Sequence, residues 1–131
     1  MIAGVGIDLL DIERVRRLLE QPHGARFVER VLTPEERELA GRRGRARLAE
    51  FVAGRFAAKE AVVKALGCGI GREVGFQDIR ILPDDCGKPE CRLSDAAWVR
   101  LGRSRPLRLH LSITHSATTA GAYAVAETEG M

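Results

Sequence analysis

From residue 2 to residue 9 the chain alternates. Ala3, Val5, Ile7 and Leu9 fall on one face, and Gly4, Gly6 and Asp8 on the other. A period of two predicts a strand, and its glycine side leaves room for something to approach the backbone closely. The period changes at Asp11, an N-cap residue. Ile12, Val15, Leu18 and Leu19 follow at helical spacing, with Arg14 and Arg17 together on the opposite face and Arg16 at the flank. Gln21-Pro22-His23-Gly24 ends this helix. A short helix is expected over 25–32, turning Phe27, Val28 and Val31 inwards. Thr33-Pro34-Glu35-Glu36 combines an N-cap, proline at the first helical position and an acid at the capping-box position, which predicts a helix running to about Ala40. Gly41-Arg42-Arg43-Gly44-Arg45 reads as a basic loop, with Arg47 just beyond. The longest helical pattern covers 46–66. Val52, Phe56, Val63 and Leu66 form its buried stripe, and Gly67 is its C-cap.

The second half reads as mainly strand. Residues 76–82 form one strand with Ile79 and Ile81 on one face. Residues 83–89 form a turn rich in Pro, Asp and Gly, and 90–93 a short returning strand. Ser94 can cap a helix containing Ala97, Trp98 and Leu101. Residues 107–115 alternate Leu107, Leu109, Leu111 and Ile113 against His110, Ser112 and Thr114, and 121–127 make a last strand. Strand, helices, then mainly strands points to an α+β fold. A length of 131 residues fits one domain, 1–131, of a size that often shares its core or its site with a neighbouring subunit.

Composition narrows the classes. No apolar run reaches the ~18 residues of a membrane span, and the first residues lack the basic and long apolar regions of a signal peptide. The three cysteines are an odd number without Cys-x-x-Cys spacing, so reduced thiols in a cytoplasmic protein are expected. Net charge is only +3, yet eighteen of the 21 basic residues are Arg, and two of the three Lys lie in the long helix. The run Arg42-Arg43-x-Arg45-x-Arg47 and a pI of about 9.1 would suit a small nucleic-acid module. Against that, aromatics are 5% of residues, no nucleic-acid motif is present, and Asp8 and Glu60 stay unexplained. No nucleic-acid partner is expected.

Glu60 lies about 40° round the helix from Phe56, at the border of the buried stripe. Taken alone it reads as an exposed Glu60–Lys64 pair worth about 0.2–0.5 kcal/mol. Asp8 alone reads as an acid ending a strand. Together, a carboxylate from a strand end and one from a helix are the usual protein share of a Mg²⁺ site, with water and phosphate completing it. Lys59, Lys64, Arg55 and Arg45 could surround the same place with positive charge, which suits a polyphosphate. Lys59 remains open between clamp member and solvated neighbour. His115 remains open between a structural hydrogen-bonder and a site residue. Neither Gly4-x-Gly6 nor Gly67-x-Gly69-x-Gly71 fits a dinucleotide fingerprint, and Gly87-Lys88-Pro89 lacks the spacing of a phosphate-binding P-loop.

Ordered motifs along nearly the whole chain carry a resemblance. They are Gly4-Val5-Gly6-Ile7-Asp8-Leu9, Arg30-Val31-Leu32-Thr33-Pro34-Glu35-Glu36, Arg55-Phe56-Ala57-Ala58-Lys59-Glu60-Ala61 with Lys64-Ala65-Leu66-Gly67, Gly87-Lys88-Pro89, and Ser112-Ile113-Thr114-His115-Ser116. The chain resembles the small 4′-phosphopantetheinyl transferases that act as holo-[acyl-carrier-protein] synthases. The resemblance implies transfer of the phosphopantetheine arm of coenzyme A to a serine of an apo acyl carrier protein, releasing adenosine 3′,5′-bisphosphate. It implies Mg²⁺ held by Asp8 and Glu60, with Lys64 as a third catalytic group. It implies CoA contacts from Arg45, Arg55, Lys64, Gly67 and His115, and carrier docking on Arg14 and Arg17. It also implies a homotrimer with active sites at subunit interfaces. The base for the serine stays open between Glu60 and a metal-bound water. The water is favoured, because a tight ligand is a poor free base.

Overall fold

The computed structural model describes residues 1–129. Among these residues, two antiparallel sheets and five α-helices make an α+β fold. β1 (Ile2–Asp11), β5 (Thr119–Glu127) and β4 (Arg108–His115) form a sheet with β5 in the centre, while β2 (Ile79–Pro83) and β3 (Pro89–Leu93) form a separate hairpin. The helices are α1 (Ile12–Glu20), α2 (Gly24–Val31), α3 (Pro34–Arg43), α4 (Leu48–Ala65) and α5 (Asp95–Arg100).

α4 is the central element. Thirteen of its 18 residues are buried, so it is covered nearly all round rather than along one stripe, and Phe56 is only half-buried. One side joins the sheet and hairpin in a core containing Val62, Val63, Ile79, Ile81 and Trp98. The other joins α1 and α2 in a core containing Ile12, Val15, Val31 and Val52. The sheet meets α4 through small residues. Gly4 and Gly6 of β1 line up with Ala126 and Ala124 of β5. A methyl group on Gly4 would collide with the Ala65 carbonyl, and one on Gly6 with that of Ala61. The close approach predicted on the glycine side of β1 is therefore made by α4. The alternating apolar side, with Val5, Ile7 and Leu9, is left exposed together with Tyr123 of β5.

Several boundaries differ from the pattern-based expectation. β1 runs two residues further, to Asp11, whose carboxylate accepts from the Glu13 backbone N–H at 3.0 Å and starts α1. The Thr33 capping box forms, but α3 continues through exposed Gly41 to Arg43, and its last turn carries Arg42 and Arg43 where cations suit the helix dipole. The basic loop thus shrinks to Gly44, at φ 94°, and a 3-10 turn at Arg45–Arg47 precedes α4. α4 ends in a Schellman motif. The Cys68 N–H bonds the Val63 carbonyl and the Gly67 N–H that of Lys64, with Gly67 at φ 80°. Phe76–Asp78 is a 3-10 turn rather than strand, because the Asp78 carboxylate accepts from the Gly75 N–H at 2.8 Å and competes with sheet pairing. β5 begins two residues early, at Thr119, where the Ser116 side chain bonds the Thr118 and Thr119 N–H groups.

Candidate active site

β1 and α4 bring Asp8, Glu60 and Lys64 together. Asp8 lies on the inner face of β1, opposite Ala122 of β5, which is in turn opposite Ile113 of β4. The Lys64 Nζ donates to the Ile7 carbonyl at 2.9 Å and to the Asp8 carboxylate at 3.1 Å. Lys64 therefore bonds across to β1 rather than along the helix to Glu60 as the i, i+4 pattern suggested. An ammonium has three N–H donors, so one remains for an incoming group. Glu60 is near enough to feel Asp8. Its pKa is raised by burial first and the Asp8 charge second, against an opposing pull from Lys64. Two carboxylates that repel one another beside a single lysine form a local excess of acceptor oxygens, which a divalent cation would relieve. Among the described residues no third acid, histidine or cysteine joins them.

A second feature lies on another side of α4. A cavity of about 250 Å³ is lined by Arg43, Arg47, Phe51, Arg55 and His115, with Glu50 and with Gly87 and Pro89 from the hairpin. Arg55 is 7% exposed. Its Nε donates to the Ile81 carbonyl at 3.3 Å, and its guanidinium lies 4.4 Å from the Phe51 ring centroid. Burial lowers its pKa to about 10, with buried Glu36 opposing that and the Arg43 charge adding to it, so it stays cationic near neutrality. No carboxylate pairs with Arg43, Arg47 or Arg55 within 4 Å among the described residues. Three arginines against one Glu50 give the cavity wall a net positive charge. His115 ends β4 on the inner face with its ring exposed, and its Nδ1 is 3.2 Å from the Ser116 carbonyl oxygen.

The predicted residues therefore separate into groups. Asp8, Glu60 and Lys64 converge, with Gly67 one turn beyond Lys64. Arg55 and His115 meet at the cavity. Arg45 does not line it, and its neighbours Arg43 and Arg47 do. Spacing held that signal, since Arg47, Phe51 and Arg55 recur every four residues and so share one helical face. Lys59 belongs to neither group. Its side chain is wholly buried and donates to Glu36 at 2.7 Å, the Val31 carbonyl at 2.7 Å and the Phe76 carbonyl at 3.0 Å. Both earlier options for Lys59, clamp member and solvated neighbour, are thereby corrected. Arg14 and Arg17 are exposed on α1, while Arg16 pairs with Glu13 at 2.6 Å.

Residues 4–126 match the family model of the 4′-phosphopantetheinyl transferase superfamily. The chain belongs to this family. It is 50% identical over 130 residues to a holo-[acyl-carrier-protein] synthase of Geobacillus kaustophilus, covering 99% of this chain and 92% of the relative. The family likeness extends to solved structures. A holo-(acyl-carrier-protein) synthase from Bacillus anthracis in complex with CoA (3′,5′-ADP) superposes with a TM-score of 0.82 at 44% identity, covering 98% of this chain and 99% of the other. The synthase of Neisseria meningitidis gives 0.85 at 38% identity, covering 98% and 100%.

Proposed function

We infer that this chain is a holo-[acyl-carrier-protein] synthase. It moves the 4′-phosphopantetheine arm of coenzyme A to a serine hydroxyl of an apo acyl carrier protein. Family membership over nearly the whole chain supports this, and the observation that carries it is the convergence of Asp8, Glu60 and Lys64 where β1 is locked against α4. We take residues 1–131 as one transferase domain.

In this reading Asp8 and Glu60 hold Mg²⁺, which when bound would draw charge from the pyrophosphate of CoA. The serine hydroxyl gives its proton to water in the site as its oxygen forms a bond to the β-phosphorus, and the bond from that phosphorus to the bridging oxygen breaks. Adenosine 3′,5′-bisphosphate leaves with the negative charge. Lys64, fixed by the Ile7 carbonyl and Asp8, keeps one N–H for that bridging oxygen, and a fixed ammonium there would stabilise charge as it develops. Arg47, Arg55 and His115 bind CoA phosphate in the cavity, with Arg47 taking the role that sequence alone assigned to Arg45. Gly67, in left-handed conformation and without a side chain, leaves the substrate room beside Lys64. Exposed Arg14 and Arg17 offer a basic face to an acidic carrier protein.

The two halves of this site face apart within one chain. Glu60 and Phe51 are nine residues apart, as are Lys64 and Arg55, which places each pair about 180° apart round α4. One CoA spanning both halves fits best if neighbouring copies supply one half each. The exposed apolar face of Val5, Ile7, Leu9 and Tyr123 supports association into a trimer. No helix among the described residues is long and apolar enough to cross a membrane, and three unpaired thiols accord with a cytoplasmic setting.

The test is direct. The protein is incubated with apo carrier protein, CoA and Mg²⁺, and the carrier is weighed by mass spectrometry. Gain of the phosphopantetheine mass is expected. An unchanged carrier mass with a well-folded enzyme would overturn the assignment.

A further inference from the structure

Phe51 has an unusual position for a core phenylalanine. It is 6% exposed and packs in the same core as Val52, yet it also forms part of the cavity wall. Two guanidinium groups lie against its ring, Arg55 at 4.4 Å and Arg43 at 5.3 Å from the centroid. Arg43 comes from the last turn of α3 and Arg55 from the middle of α4, so the ring joins two helices through their cations. The attraction between a cation and the negative face of a ring strengthens when water is excluded. It also holds both guanidinium groups at the cavity wall, since Phe51, Arg43 and Arg55 all line it. A ring accepts no conventional hydrogen bond from a guanidinium in this way, so their N–H groups remain for another partner.

Arg55 bonds the protein through Nε alone, to the Ile81 carbonyl. No buried side-chain nitrogen in the described chain lacks a partner, so its outer nitrogens open onto the cavity. Among the described residues neither Arg43 nor Arg55 has a carboxylate partner within 4 Å, Glu50 of the cavity wall included. Two like charges held on one ring repel each other. A doubly charged phosphate seated between the two guanidinium edges would reverse that repulsion, and each edge can offer it two parallel N–H bonds.

We propose that Phe51 is a positioning residue that holds Arg43 and Arg55 at the cavity, and that Arg43 is a further anion-contacting residue beside Arg55. This rests on the reading that the cavity takes the nucleotide phosphates of CoA, and it adds the residue that sets the geometry.

The probe is adenosine 3′,5′-bisphosphate, titrated calorimetrically into the full-length protein and accompanied by transfer kinetics. Phe51 is replaced by tri- and pentafluorophenylalanine, which weaken the negative ring face with little change of volume, and by Phe51→Tyr, which keeps it. Each fluorination step is expected to weaken binding progressively, by about threefold to tenfold overall. KM for CoA should rise in parallel while kcat and thermal midpoint stay near wild type, and Phe51→Tyr should bind within about twofold of wild type. Arg43→Ala should weaken the probe about tenfold, the loss of one charge-assisted contact. Fluorinated proteins that bind like wild type, or an Arg43→Ala protein that does, would overturn the proposal. The underlying reading fails differently. If Arg55→Ala binds the probe as tightly as wild type, the cavity is not the phosphate site, whatever Phe51 does.

Discussion

Lys59 and Glu60 are adjacent in sequence and have opposite fates. Lys59 turns into the protein, where burial lowers its pKa and Glu36 partly offsets that. Glu36 in turn accepts from Lys59, the Thr33 N–H and the Ile81 N–H, each at 2.7 Å. This network ties α3, α4 and β2 at one point. Lys59→Met should destabilise by about 3–5 kcal/mol in urea unfolding, because it leaves the Glu36 carboxylate buried without its counter-charge. Lys59→Met with Glu36→Gln should recover part of that loss, since Gln still accepts one backbone N–H and carries no charge. Glu60 turns outward to Asp8. Glu60→Gln and Asp8→Asn should each lower transfer by at least about 100-fold with thermal midpoint unchanged within about 2 °C, since neither residue holds the core together. A variant with full activity would remove the two-carboxylate site. The residue types at 8, 60 and 64 were legible in the sequence as an acid pair with a lysine. The fate of Lys59 was not. It depends on Glu36, Val31 and Phe76, which are 17 to 28 positions away, and helical periodicity carries no information about partners that distant.

At the scale of elements, the seam between β1 and α4 decides whether those side chains meet. Gly4 and Gly6 were legible as places of close approach, although not what would approach. Either face of an isolated alternating strand can be the packed one, and here a helix lined with alanine selects the glycine face. Gly6→Ala should therefore be destabilising by about 1–3 kcal/mol. It should also weaken transfer beyond that loss of stability, because the same methyl group would press on the Lys64 Cβ. Wild-type kcat in Gly6→Ala under conditions where it is fully folded would argue against the seam as the positioning element. The 3-10 turn at Phe76–Asp78 is a second joint. Burial opposes ionisation of Asp78, but the Gly75 N–H, the Ser94 hydroxyl and the Arg100 guanidinium together hold its pKa below the usual carboxylate value. A depressed carboxylate stabilises the fold above its unfolded pKa, and that contribution fades as pH falls below about 4. The difference in thermal midpoint between wild type and Asp78→Asn should thus be largest near neutrality and shrink in acid. A difference that grew in acid would mean that the joint rests on something else.

The described residues present a carboxylate–lysine cluster, an arginine-lined cavity and an uncovered apolar face. Val5, Ile7 and Leu9 are each more than half exposed, and Ile7 is paired with Tyr123 across the strands, so the patch is continuous over β1 and β5. Alternation marked these residues as one face of a strand, but nothing in this chain covers that face, and a single chain's pattern cannot say what would. If three copies close a ring through this face, light scattering should report about three times the 14.3 kDa of one chain. Ile7→Lys with Tyr123→Lys should then give a folded monomer with little transfer activity. Loss of activity alone would not separate a shared site from a merely unstable monomer, whereas mixing does. Asp8→Asn protein retains the arginine cavity and Arg55→Ala protein retains the carboxylate pair. In a ring where each site takes its carboxylates from one copy and its cavity from the next, equal random mixing leaves about one site in four built from two intact halves. Two inactive preparations, unfolded together and refolded, should therefore regain about a quarter of wild-type activity. A refolded mixture of trimers that stays as inactive as its components would place both halves in one chain, and the nine-residue separations along α4 would then have to be spanned by a CoA wrapped round a single helix.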